Sequence, residues 1–213
     1  MRPPLPTASH ARLALTIEDL YRVFSAETPS AIEGCPCCIN TRNVDVLLAT
    51  PLRELRGDQL WRYISGAYLT LGGDRDFRYL MPRIFELAAL SSSEIPDTEI
   101  VLSKLARAQW GNWLEDERDA VQRFIDAWFA VASEQDLLHA RDGWIGNRTE
   151  SLLCGLAYAR LPIAQWLNRL TEPTTAPLLD DLLQRYPQNL SAFWRDVPDG
   201  FAQLSAFLAE RPT

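Results

Sequence analysis

The sequence predicts an all-α protein, built as an irregular multi-helix bundle or as a HEAT-like helical array. Three observations carry this. Apolar residues recur at three- and four-residue spacing, no segment sustains an alternation of period two, and proline and glycine cut the pattern into short helical pieces. No repeat of fixed period with matching residues supports the array, which makes the bundle the stronger expectation. With 213 residues and 47% hydrophobic side chains, the chain can fill a continuous core without staples.

Residues 1–15 are proline-rich and then mixed, and read as a flexible lead. Thr16 is placed to cap a first helix, with Asp19 three residues on and Ile17, Leu20, Tyr21 and Phe24 at helical spacing. Gly34-Cys35-Pro36-Cys37-Cys38 follows in a loop and opens a short helix over 40–48. Thr50-Pro51 is a start signal, since proline fits the first helical turn. Gly57 and Asp58 then restart the chain, and Leu60, Ile64, Ala67, Tyr68 and Leu71 form a face that ends at Gly72-Gly73. Asp74 opens a helix with Phe77, Leu80, Met81, Ile84, Leu87 and Ala88 on its apolar face, which Pro82 should kink or split.

The segment 91–96 reads as a linker, and Asp97 caps a helix that ends near Ala108. Beyond Trp110-Gly111-Asn112-Trp113, the clearest helix of the chain spans 115–133. Val121, Phe124, Ile125, Trp128, Phe129 and Ala132 form its stripe, and Glu115, Asp116, Glu117 and Asp119 fill its first turn, where the helix dipole favours acids. Shorter helices over 148–160, 162–170, 176–186, 188–195 and 199–209 complete the chain. The organisation expected is a lead (1–15), an N-terminal helical part with the cysteine cluster (16–90) and an acidic C-terminal helical part (97–213), packed as one domain.

The net charge of −7 is one-sided. Residues 1–90 hold ten basic and ten acidic side chains, whereas 91–213 hold eleven and eighteen, so the whole excess lies in the second part. Acidic surfaces repel phosphate backbones, which argues against nucleic acid, and attract basic proteins; ordinary solubility is the plainer reading of the same charge, and a basic protein partner the functional one. Lys104 is the single lysine beside twenty arginines, a bias that reads as a GC-rich bacterial genome. No apolar run serves as a signal-peptide core or approaches the length of a membrane span, so a cytoplasmic protein is expected.

Cys35 and Cys38 form a C-x-x-C pair with Cys37 between them. A thiol at a helix start has its thiolate favoured, which suits redox chemistry, but no preceding strand of a βαβ unit is present. Zinc needs four ligands, and only Cys154 and His139, both remote in sequence, are at hand to complete a site. Packing of small thiols in a tight turn at Gly34 and Pro36 is the plainer reading of the cluster. There is no G-x-S-x-G, H-E-x-x-H, phosphate loop or dinucleotide fingerprint, and an imidazole base would have to be His139. Asp74 with Asp76, and Asp180 with Asp181, read as caps and exposed ends.

The cysteine element, Asp76-Phe77-Arg78-Tyr79-Leu80-Met81-Pro82-Arg83 and Leu153-Cys154-Gly155-Leu156 together resemble a group of bacterial helical proteins with a G-C-P-x-C element and no known activity. The resemblance spans residues 16–160, with Cys35 and Cys38 as the matching thiols, and implies a bacterial all-α protein. The leading expectation is a non-catalytic, cytoplasmic protein that binds another protein, as a toxin-neutralising (immunity) protein or an adaptor would. Its surface would comprise Trp110, Trp113, Glu115, Asp116, Glu117, Asp119 and Trp144, with no cofactor; the structural reading of the same residues is a plug of indoles between helices and a helix start favoured by the dipole. The alternative is a thiol-redox or zinc-binding protein using Cys35, Cys38 and Cys37.

Overall fold

The computed structural model describes residues 7–35, 44–90 and 94–211. Among them are ten α-helices and no sheet; two isolated bridges tie Leu71 to Gly34 and to Ala67. The helices are α1 (Ala8–Val23), α2 (Val44–Ala49), α3 (Gly57–Gly66), α4 (Asp74–Ala89), α5 (Thr98–Arg107), α6 (Glu115–Ala140), α7 (Arg148–Tyr158), α8 (Ala164–Arg169), α9 (Ala176–Arg185) and α10 (Pro198–Ala209).

Helix α6 is the spine. Its most extensive partner is α1, the first helix of the described chain and about ninety residues away, and it also packs on α7 and α9. Pairing of elements so distant in sequence makes this a bundle; an array stacks neighbours. Phe124 on α6 stacks on Phe85 of α4 at 5.3 Å and touches Trp128 at 5.6 Å, joining the two halves through one core. A single cluster of buried apolar side chains runs from Leu13 to Leu208.

Several helix limits differ from expectation, each for a local reason. The expected flexible lead (1–15) is helical from Ala8, because Thr7 caps the helix through His10 N–H and Leu13 is buried in the core. Thr16 lies inside that helix, its hydroxyl donating to the Leu13 carbonyl at 2.8 Å. Helix α3 stops at Gly66, short of Leu71, since Tyr68 takes a left-handed conformation (φ 61°) and its N–H turns back to the Leu71 carbonyl. Helix α4 runs unbroken through Pro82: flanking burial of Phe77, Leu80, Met81, Ile84 and Phe85 outweighs the roughly 3 kcal/mol that an internal proline costs. Helix α6 continues past Ser133 to Ala140. The segment after Pro51 forms a single 3-10 turn, Leu52–Glu54, and the last helical stretch before Pro198 is also 3-10, Ala192–Asp196. Asp76 acts as the cap expected, accepting from Gly73 N–H at 3.0 Å and from Tyr63 O–H at 2.6 Å.

Helices α5 and α7 form the second most extensive pair. A Cβ on Gly155 of α7 would stand 2.7 Å from Leu102 Cδ1 and 3.3 Å from the Thr98 carbonyl of α5, so glycine is what permits the contact. Gly155 faces Thr98 and Leu102, Ser151 bonds Glu99, and Tyr158 neighbours Arg107; the two helices therefore run parallel, their N-termini at one end. Lys104 of α5 is buried with them, its Nζ donating to the Ala67 carbonyl at 3.4 Å, and burial pushes its amine down to about 8.

The C-terminal helices are tied down by Glu150 on α7. Its buried carboxylate pairs with Arg185, which also pairs with Asp181, and accepts from Ser191 N–H at 2.6 Å and Trp194 Nε1 at 3.2 Å. Glu150→Ala leaves two N–H donors without an acceptor and Arg185 with Asp181 as its remaining carboxylate, and is expected to cost about 3 kcal/mol in urea unfolding followed by circular dichroism. Glu115→Ala, on an exposed acid, should change stability by less than about 0.5 kcal/mol.

Candidate functional site

The residues singled out from the sequence do not form one surface. Trp113 is a core side chain: its ring lies edge-on to Phe24 at 5.4 Å, Arg78 covers its face at 4.9 Å, and its Nε1 donates to the Ala108 carbonyl at 3.2 Å. Glu117 is buried as well. It pairs with Arg78 and accepts from Leu114 N–H at 3.0 Å, closing the first turn of α6. Both therefore leave the expected docking surface, drawn inward by the Phe24 ring and the Arg78 side chain in one case and by the free amide of a helix start in the other. Trp110 is half-buried and bonded to the Ala159 carbonyl; Glu115, Asp116 and Asp119 are exposed. Trp144 lies beyond the opposite end of α6, whose 26 residues at 1.5 Å each span about 39 Å.

Cys35 is exposed, and its N–H bonds the Thr70 carbonyl at 2.9 Å. The preceding Gly34 is needed because a Cβ there would lie 2.8 Å from Leu71 Cβ. Cys37 and Cys38 lie outside the described residues. Cys154 is buried in α7, where desolvation and the Glu99 and Glu150 carboxylates push its thiol far above the usual range, leaving it unreactive. Among the described residues, no three His, Cys, Asp or Glu side chains are grouped around a common metal position.

What the fold does build is a cleft of about 480 Å³ at the C-terminal half of α6. Trp128, Ala132, Gln135 and His139 supply one wall, falling at i, i+4, i+7 and i+11 on a single stripe of that helix. Asp97, Thr98 and Glu99 at the start of α5, and Asn147, Arg148 and Ser151 at the start of α7, supply the opposite wall, since those parallel helices begin at the same level. Trp61 of α3 and Trp144 close the rim, 43% and 55% exposed, and Trp144 stacks on His139 with ring centroids 4.0 Å apart.

Two buried carboxyls stand at this surface, Glu99 in its wall and Asp136 behind it. Asp136 reaches from α6 to the start of α7, where its Oδ2 accepts from Thr149 N–H at 2.8 Å and the Arg148 amide adds a second bond. Its other oxygen, Oδ1, has no hydrogen-bond partner among the described residues and faces Gly146 beside His139 Nδ1. Burial pushes the Asp136 carboxyl up, against the hydrogen bonds that lower it. Glu99, 2% exposed, is pushed up to about 7 by desolvation, with its own amide and the Ser151 hydroxyl opposing and Asp97 and Glu150 reinforcing the rise.

Of this cleft, sequence reasoning singled out Trp144 for binding and His139 as a remote ligand or base. Glu99, Trp61, Trp128 and Arg148 were missed. The legible signal was the polar continuation of the α6 stripe through Gln135 and His139, which a helix ending at Ser133 conceals.

Above the ordinary carboxylate range the unfolded chain has released the Glu99 proton while the folded chain keeps it, so stability falls as pH rises from about 4.5 to about 7. Glu99→Gln removes the titration. Relative to wild type it should gain on the order of 3 kcal/mol between pH 4 and pH 8, read from urea unfolding at the two pH values. No family model matches this sequence, and no curated protein or solved structure is significantly similar to it.

Proposed function

We propose that the chain is a non-catalytic, cytoplasmic binding protein that captures another protein, basic in charge, through the cleft bounded by α6 and the starts of α5 and α7. The observation that carries this reading is the pair of half-exposed indoles, Trp61 and Trp144, at the rim of a cleft that Trp128 also lines. Large apolar rings left in water favour a partner that covers them, and indoles seated in a pocket dominate interface energies. The acidic excess of residues 91–213 supplies the long-range attraction for a basic partner. The exposed acids Glu115, Asp116 and Asp119, at the far end of α6, contribute to that field and not to the anchor. An immunity protein and an adaptor are two forms that such a module takes.

A peptide library displayed on phage and selected on the wild-type protein tests the reading. Sequences carrying Arg or Lys beside apolar residues should be enriched, and Trp144→Ala should weaken each by about 30-fold, the equivalent of roughly 2 kcal/mol. Neutralising Glu115, Asp116 and Asp119 together should slow association at low salt and leave dissociation unchanged. Enriched peptides that bind a Trp61→Ala, Trp144→Ala double variant as well as wild type would place the partner elsewhere.

A further inference from the structure

Resting on that reading of the cleft, we infer that the group it receives is a single cationic side chain, an ammonium or guanidinium, seated between the indoles and the Glu99 carboxylate. The walls suit such a group. Indole faces attract cations, and Trp61, Trp128 and Trp144 approach the cleft from three different parts of the chain. The volume, about 480 Å³, admits a long side chain with part of its backbone.

The sign of the field follows from the charges that reach Glu99. From its own helix Asp97 acts on it, and from α7 Glu150 does; both are negative. Lys104, further along α5, turns its amine to the Ala67 carbonyl. From α6, Asp136 and His139 face the start of α7, and Arg148 acts on Asp136, stabilising its charged form. A buried carboxyl among like charges gains most from a cation brought to it. The two helix starts at the cleft offer little to an anion, because Asp136 already engages the amides of Arg148 and Thr149 and Glu99 engages its own.

A consequence of this geometry is that capture expels a proton. The incoming cation favours the charged carboxylate, so Glu99, titrating at about 7 in the free protein, gives up its proton as the cleft fills. Affinity then rises with pH and levels off above about 7.

The test uses the full chain with three probes: Nα-acetyl-lysinamide, Nα-acetyl-argininamide and the neutral Nα-acetyl-norleucinamide. Binding is followed by the indole N–H resonances of Trp61 and Trp144, and proton release by calorimetry in buffers of different ionisation heat. The cationic amides should give saturable shifts, about tenfold tighter at pH 8 than at pH 6, and the neutral amide none. Glu99→Gln should flatten that pH profile and weaken binding about tenfold while His139→Gln preserves the profile. A pH profile kept in Glu99→Gln and lost in His139→Gln overturns the assignment of the charge to Glu99. If all three amides bind alike and Trp144→Ala abolishes each, the cation falls but the cleft stands as the docking site; if no amide shifts either indole, both readings fall.

Discussion

Helices α5 and α7 lie parallel in close contact at Gly155, where a side chain would press on Leu102 and the Thr98 carbonyl, and that contact decides where the polar groups of the cleft stand. Parallel neighbours put two helix starts at one level. Each start exposes unpaired amides, and a bundle that buries them must supply acceptors. Asp136 reaches across from α6 for one and Glu99 serves its own helix for the other, so the carboxyls of the cleft are first a solution to a backbone problem. Glu150, in the first turn of α7, extends the same polar seam toward the C-terminal helices.

Burial then separates the fates of these three acids. Glu150 finds a guanidinium and two N–H donors, and the pairing offsets the loss of water. Asp136 finds two amides. Glu99 finds only a hydroxyl and its own amide while sharing space with Asp97 and Glu150, and it is left near the middle of its titration at neutral pH. A group held between two protonation states responds to small changes in its surroundings, and this one lines the cleft that carries two exposed indoles.

The helical class and most helix cores were legible because they rest on spacing: the stripe from Val121 to Ala132 and the face of Phe77, Leu80 and Ile84 are buried as that spacing requires. Limits that rest on a single cap were less so. Thr16, with Asp19 three residues on, reads as the first cap, but Leu13 is buried and the helix starts earlier, at Thr7. The candidate site was legible in one residue for binding, Trp144, because exposure is a property of the assembled bundle. Trp113 and Trp144 read alike as loop aromatics; one meets Phe24 and Arg78 and disappears, the other meets a half-buried imidazole at an open edge. Glu99 looked like any acid in a first helical turn, and its burial depends on α7 lying parallel beside it.

The seclusion of Lys104 against Ala67 has an effect on the outside of the molecule. Every long cationic side chain on the surface is then a guanidinium, which keeps its charge at any pH a cell visits. Reagents and enzymes that act on a lysine ε-amine, whether to acetylate it, to attach a ubiquitin-like tag or to cross-link it to a neighbour, meet no accessible target side chain on the folded chain. The same reagents would find their target only once the bundle opens, so the reactivity of one amine reports the folded fraction of the whole protein.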